Sequence, residues 1–254
     1  MQITYAALTD KGLKRKNNED AYSIEKGPRQ SNVNDRYDEL LCVIADGMGG
    51  HSCGEVASRM ACDEFSGFLD RQLLRQRPEV IEKRFQQKIF DIDNRIRNHG
   101  FTNTPCMDMG TTLSAILFLR EKAVIAHVGD SRIYRLRNRN LKQLTTDHNL
   151  VQDLVREGLI TPEAALTHPF RNKLTQAIGT NEPVEQVDTQ RIQLAHGDRF
   201  ILSTDGLHGE VGHAEIEQVL LASDSPEGAA EQLISLALQG GGSDNITVLV
   251  IFLS

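Results

Sequence analysis

Apolar residues along this chain follow two rhythms. Short, nearly unbroken runs rich in β-branched residues occur at Ile3-Thr4-Tyr5-Ala6-Ala7-Leu8-Thr9, Leu40-Leu41-Cys42-Val43-Ile44-Ala45, Ala123-Val124-Ile125-Ala126-His127-Val128, Arg199-Phe200-Ile201-Leu202-Ser203 and Ile246-Thr247-Val248-Leu249-Val250-Ile251-Phe252-Leu253. Runs of this length suit strands buried on both faces better than helices. Ala21-Tyr22-Ser23-Ile24 and Ile133-Tyr134-Arg135-Leu136 add shorter strand patterns, and residues 111–119 pair with 122–128 across Arg120-Glu121. Ile133-Tyr134-Arg135-Leu136 is expected to continue the same sheet.

The second rhythm is helical. Val56, Met60, Ala61, Phe65, Phe68, Leu69 and Leu73 predict one helix over residues 54–74. Ile81, Phe85, Ile89, Ile92 and Ile96 predict another from Pro78 to a glycine stop at Gly100. Residues 214–222, and a helix opening at Ser225-Pro226-Glu227, form a last helical layer. Between residues 146 and 172 the pattern weakens to two short helices, one ending near Gly158 and one starting at Thr161-Pro162-Glu163. A small insertion between strand regions is a natural flap over a site. His148 and His168 lie in it and are expected to be solvated. Residues 26–38, rich in Asn, Gln, Arg and Asp, are expected to form an exposed loop.

The ends of the strand runs carry the candidate chemistry. The runs ending at Asp46, Asp130 and Asp205 each stop on a carboxylate, and Asp244 opens the last run. One Asp-Gly pair closing a strand is ordinary turn chemistry. Repeated four times, with strands alternating in direction, it would bring the acids to one edge. Carboxylates that close raise one another's pKa, so such a cluster protonates or holds cations, and all-oxygen ligands suit Mg²⁺ or Mn²⁺.

Composition narrows the field. With 254 residues, 39% hydrophobic and 25% charged, the chain is long enough for a sizeable core and is expected to be one domain. A net charge of −7 argues against a nucleic-acid surface, and Lys14-Arg15-Lys16 is too short to track a phosphate backbone. No run approaches a membrane span and no export signal opens the chain, so a cytoplasmic location is expected. Cys42, Cys53, Cys62 and Cys106 lack metal-ligand spacing and are expected to be thiols rather than disulfides. Gly240-Gly241-Gly242 lacks the Lys-Ser/Thr of a phosphate-binding loop.

Six motifs in order, Asn18-Glu19-Asp20, Asp46-Gly47-Met48-Gly49-Gly50, Gly110-Thr111-Thr112, Val128-Gly129-Asp130-Ser131-Arg132, Ser203-Thr204-Asp205-Gly206 and Asp244-Asn245-Ile246-Thr247, span nearly the whole chain. Together they resemble the metal-dependent protein serine/threonine phosphatases of the type 2C (PPM) family, single-domain bacterial type. The resemblance implies an α+β fold: a central β-sandwich of two antiparallel sheets flanked by pairs of helices, with a flap at about 147–172. It implies that Asp46 bridges two metals with the Gly47 carbonyl as a further ligand. Asp205 and Asp244 would complete the second ion, and Asp130 would hold a third, to which Asp205 could contribute. Glu19 and Asp20 resemble acids acting through metal-bound waters, and Arg15 resembles the phosphate-binding arginine.

The activity implied is hydrolysis of phosphoserine and phosphothreonine in proteins by metal-activated water, with two or three Mg²⁺ or Mn²⁺ and no phosphoenzyme. The expected partners are phosphoproteins of a Ser/Thr kinase, with no nucleic acid and no membrane, and the protein is expected to be a monomer. A non-catalytic phosphoprotein-binding module and a hydrolase of small phosphate esters are the alternatives. One departure stands out: Met48 sits where many eukaryotic relatives carry a His proposed as general acid. A metal-bound water is the preferred proton donor, with His51 the other candidate.

Overall fold

A computed structural model describes residues 1–27, 39–49 and 53–254. Most of the expected loop at 26–38, and both Gly50 and His51, lie outside the described residues. The chain opens with β1 (Ile3–Asp10), β2 (Asp20–Lys26) and β3 (Leu40–Met48), then α1 (Cys53–Asp63), α2 (Arg71–Leu74) and α3 (Pro78–Thr102). A 3₁₀ turn (Thr104–Cys106) leads to β4 (Gly110–Thr111), β5 (Leu113–Leu119), β6 (Lys122–Val128), β7 (Arg132–Arg137) and β8 (Asn140–Gln143). The two short helices α4 (Leu150–Arg156) and α5 (Pro162–Leu166) precede β9 (Asp188–Gln193) and β10 (Arg199–Ser203). Then come α6 (Asp205–His208), α7 (His213–Ala222), α8 (Pro226–Gly240) and β11 (Ile246–Leu253).

The strands form two antiparallel sheets, ordered β1-β11-β10-β7-β8 and β2-β3-β5-β6-β9. Strand periodicity explains why antiparallel strands here read as unbroken apolar runs. In β3, Leu41, Val43 and Ala45 face the α1 and α3 helices, while Leu40, Cys42 and Ile44 face the opposite sheet. In β11, Ile246, Val248 and Val250 meet the α7–α8 layer, and Leu249, Ile251 and Leu253 fill the space between sheets. Both faces of these two strands are therefore largely dry, and each fully buried Leu, Ile or Phe contributes roughly 1.5–3 kcal/mol. Phe118 and Phe200 meet edge to face across the sandwich at 5.1 Å. The expected α-β-β-α layering is what the chain adopts.

Several expectations are corrected. The single helix over 54–74 is broken: the chain turns through Gly67 at φ +74°, and Asp70 caps α2 by accepting the Leu73 N–H at 2.6 Å. Phe65, Leu69 and Leu73 stay buried, so the apolar spacing survived while the backbone did not remain helical. The α3 helix passes through Gly100, and β3 runs on past Asp46 to Met48, pairing Gly47 with Thr111. Ile133 to Leu136 do not continue the sheet of β6. A turn at Gly129, φ +106°, carries the chain to the other sheet, where β7 pairs with β10. Strands β8 and β9 had no clear sequence signal, being mostly polar and lying at sheet edges.

The cysteines also depart from expectation. Cys53, which opens α1, is bonded to Cys106 at the end of the 3₁₀ turn, across 53 residues and with a Cα–Cα separation of 5.3 Å. The packing of α3 between them makes this pairing possible, and nothing in the spacing signals it. Cys42 and Cys62 are buried free thiols, as expected. No described helix is long and apolar enough to cross a membrane.

Closing a loop of 53 residues is worth up to about 4 kcal/mol by loss of chain entropy in the unfolded state. Denaturant unfolding with and without reductant, and of Cys106→Ser, should show a fall in stability of that order. Superimposable curves would mean that the bond carries none of the fold's stability.

Candidate active site

The site forms where corresponding ends of the two sheets meet. In one sheet, the register of β2 and β3 sets Asp20 directly opposite Asp46. In the other, Asp205 follows β10 and Asp244 precedes β11, which pair antiparallel. Asp20 joins the two sheets. Its Oδ2 accepts from Thr204 Oγ1 at 2.8 Å and from Thr247 Oγ1 at 2.7 Å, both hydroxyls belonging to the opposite sheet's end.

The backbone around Asp46 is held on the other side by two threonines. Asp46 N–H donates to Thr112 Oγ1 at 2.9 Å, and the Asp46 carbonyl accepts from Thr112 N–H and Thr111 Oγ1, both at 2.9 Å. Gly47 is required by space. A Cβ there would lie 2.1 Å from the Gly54 carbonyl oxygen and 2.6 Å from that of Glu19. Asp130 is buried just after the Gly129 turn.

Asn245 braces the loop that carries Arg15 and Glu19. Its Oδ1 accepts the Glu19 N–H at 2.8 Å, while its Nδ2 donates to the carbonyls of Lys11 at 2.8 Å and Asn17 at 2.9 Å. Arg15 reaches back across this brace, its Nη2 donating to Asp244 Oδ2 at 2.5 Å. The ion pair is half exposed and so worth little stability by itself. The sequence thus placed Arg15, Glu19, Asp20, Asp46, Gly47, Asp130, Asp205 and Asp244 in one neighbourhood, and the fold brings them there.

It missed Thr204, Thr247, Thr112 and the role of Asn245. The available signal was their position directly beside the acids and in the motif between them, where a hydroxyl or amide can orient a carboxylate. His148 is a further correction. It is buried, its N–H donating to the Gly129 carbonyl at 2.8 Å and its Nδ1 accepting the Gly129 N–H at 3.2 Å, which ties the start of the 147–172 segment to the strand end before Asp130. Its ring lies 4.9 Å from that of His127, whose pKa burial pushes down to about 4. His168 stays half-buried at a distance, its Nδ1 accepting the Phe170 N–H.

Electrostatics at the site run against the ordinary carboxylate range. Burial, followed by the charges of Asp20, Asp205, Asp130 and Asp244, holds the Asp46 carboxyl well above it. Burial pushes Asp20 up to about 7 against the pull of its two threonine hydrogen bonds. Asp130 is raised to about 8 by burial and then by Asp205, and Asp205 to about 6 by burial and then by Asp244. Burial also raises Glu19.

The sequence matches the family described as Protein phosphatase 2C over residues 15–235. The chain belongs to this family. It is 37% identical over 243 residues to the serine/threonine phosphatase stp of Listeria welshimeri, covering 96% of this chain and 93% of that one. It is 40% identical over 253 residues to the serine/threonine protein phosphatase PstP of Mycobacterium tuberculosis, 98% of this chain but 44% of that protein. Among solved structures, the serine/threonine phosphatase Stp1 of Staphylococcus aureus superposes with a TM-score of 0.90 at 34% identity, covering all of this chain and 96% of the other. The catalytic domain of PstP in complex with two manganese ions superposes at 0.82, with 34% identity over 98% of this chain and 97% of that one.

A type 2C family member is metal-dependent, and the donor set can be tested against that requirement. Among the described residues, no three acid, histidine or cysteine side chains enclose a single point at ligand spacing as they stand. Asp244 is taken up by Arg15 and one oxygen of Asp20 by two threonines. Yet Asp20 Oδ1 and Asp205 Oδ1 are buried with no hydrogen-bond partner, an unfavourable state for carboxylate oxygens. Buried, unpartnered, mutually repelling and all oxygen, these donors fit hard divalent cations.

The sign of the pH effect follows. Asp205, Asp20 and Asp130 have folded pKa values of about 6, 7 and 8, above the ordinary 3.8. The folded state therefore holds protons that the unfolded state has lost, and its stability falls as pH rises through that window. In chelator, the melting temperature of the wild type should fall relative to that of Asp205→Asn between about pH 5 and pH 8. Added Mn²⁺ should stabilise the wild type more at the higher pH. Parallel melting curves for the two proteins across that range would contradict this electrostatic picture.

Proposed function

We propose that this chain is a protein phosphatase that hydrolyses phosphoserine and phosphothreonine with two or three Mg²⁺ or Mn²⁺ ions. The observation that carries this reading is the buried, under-partnered carboxylate cluster lying beside Arg15. The names of the stp, PstP and Stp1 relatives, each a serine/threonine phosphatase, support it.

In this reading Asp46, the Gly47 carbonyl, Asp205 and Asp244 hold two ions directly and Asp130 a third, while Glu19 and Asp20 act through coordinated water. Ions held by these residues would neutralise the phosphate dianion and lower the pKa of a coordinated water for attack on phosphorus. Thr204 and Thr247 keep Asp20 turned into the site, and Thr111 and Thr112 fix the Asp46 backbone. Arg15, on an exposed loop, exchanges Asp244 for two phosphate oxygens, which its planar guanidinium can bind bidentately. The free thiols of Cys42 and Cys62 are buried, and burial raises their pKa, so neither is a nucleophile for a covalent intermediate. The same reading makes residues 147–172 the flap of a single, monomeric, cytoplasmic domain that opposes a Ser/Thr kinase.

Chelation should abolish phosphate release from phosphothreonine and phosphoserine peptides, and Mn²⁺ or Mg²⁺ should restore it. Asp46→Asn should lower kcat by about 10²-fold or more, and Arg15→Lys should raise KM more than it lowers kcat. Chelator-insensitive release would overturn the proposal. Faster turnover of mononucleotides than of phosphopeptides would replace it with the small-ester reading.

A further inference from the structure

A cleft of about 830 Å³ is lined by residues of the 147–172 segment and of the stretch preceding β9. Two of its lining residues adjoin the site: Met48 follows Asp46 by two residues in β3, and His148 accepts the N–H of Gly129, the neighbour of Asp130. Ala177 and Val184 are buried apolar residues of its otherwise largely polar lining. The far wall is positioned by α3. The buried Asp93 accepts the Gly179 N–H at 2.8 Å, and at Gly179, φ +85°, a Cβ would lie 2.2 Å from Ile96 Cγ2.

The charge of the cleft is one-sided. Asp108, Asp153, Glu182, Glu185 and Asp188 line it; Asp108 accepts from Asn181, Asp188 faces His148 Nε2 at 3.3 Å, and the single lining guanidinium among the described residues, Arg156, is paired with Asp153 at 2.8 Å. Glu182 and Glu185 are exposed at its rim. The Oε1 of Gln176, in the same wall, is buried without a hydrogen-bond partner, a spare acceptor for an incoming N–H. A polar cleft with an unpaired acceptor and an acidic rim, whose Met48 and His148 adjoin the site, has the chemistry of a seat for an extended cationic peptide.

We propose that this cleft receives the polypeptide flanking the phosphorylated residue and selects segments carrying lysine or arginine. The inference rests on the phosphatase reading and adds the substrate class to it. The net charge of −7 would otherwise repel phosphoproteins, whose phosphate is itself a dianion. Basic side chains on the same segment give the approaching substrate an attraction that the phosphate cannot supply.

The test uses the full chain with Mn²⁺ and three phosphothreonine peptides that differ only in flanks: Lys/Arg, uncharged, and Asp/Glu. The basic peptide should exceed the acidic one in kcat/KM by about tenfold or more, chiefly through KM. The preference should shrink with added salt and in Glu182→Gln/Glu185→Gln, and should reverse towards acidic flanks in Glu182→Lys/Glu185→Lys. Equal or acid-favouring turnover by the wild type, or a preference untouched in both variants, overturns the proposal. p-Nitrophenyl phosphate is assayed in parallel. Its turnover without discrimination among peptides rejects the cleft alone, whereas absence of all turnover rejects the phosphatase reading. In that second case, fluorescence anisotropy of the labelled basic and acidic peptides still decides the cleft: tighter basic binding supports it, and equal binding rejects it.

Discussion

Mutual repulsion among buried carboxylates governs this molecule. Asp20, Asp46, Asp130, Asp205 and Asp244 come from points spread over more than two hundred residues, and each of the first four is pushed above its ordinary pKa first by burial. Holding such groups together is unfavourable, so something larger must hold them. That something is the dry interior of the sandwich, whose strands are buried on both faces and cannot shift register without exposing alternate residues. The register that sets Asp20 opposite Asp46 is the same register that keeps Cys42 and Ile44 against the other sheet.

The polar residues around the acids solve a different problem from the acids themselves. A carboxylate at the end of a strand has freedom to turn to solvent, and the hydroxyls of Thr204 and Thr247 remove it for Asp20 while spanning two sheets. Asn245 does the same for the loop of Arg15 and Glu19 through three hydrogen bonds. Each leaves carboxylate oxygens over. Asp20 Oδ1 and Asp205 Oδ1 have no hydrogen-bond partner among the described residues, which suits them to hard cations.

The acids and the sandwich were legible in the sequence because both rest on strong local signals: unbroken apolar runs and a carboxylate at their ends. The failures have equally physical causes. The 54–74 stripe kept Phe65, Leu69 and Leu73 buried although Gly67 turned the backbone, because apolar spacing reports burial, and helicity only by inference. Strands β8 and β9 are polar and lie at sheet edges, where one face needs no apolar residue. The Cys53–Cys106 bond depends on how α3 packs, which spacing does not encode. His148 looked solvated because its neighbours are polar, yet it closes onto Gly129 through two hydrogen bonds that only the fold creates.

Charge links the centre of the site to its surroundings. An acidic protein acting on a dianionic group works against its own field twice, once at the reacting phosphate and once along the approach. At the centre the remedy is cationic ligands, for which the orphaned oxygens are suited. Along the cleft the one lining guanidinium among the described residues, Arg156, is engaged with Asp153, as Arg15 is with Asp244. The positive charge that draws the substrate in must then come from the substrate. The acidic rim of the cleft is thus no residue of the chain's overall composition but the electrostatic counterpart of the metal end, selecting by attraction what the phosphate alone would repel.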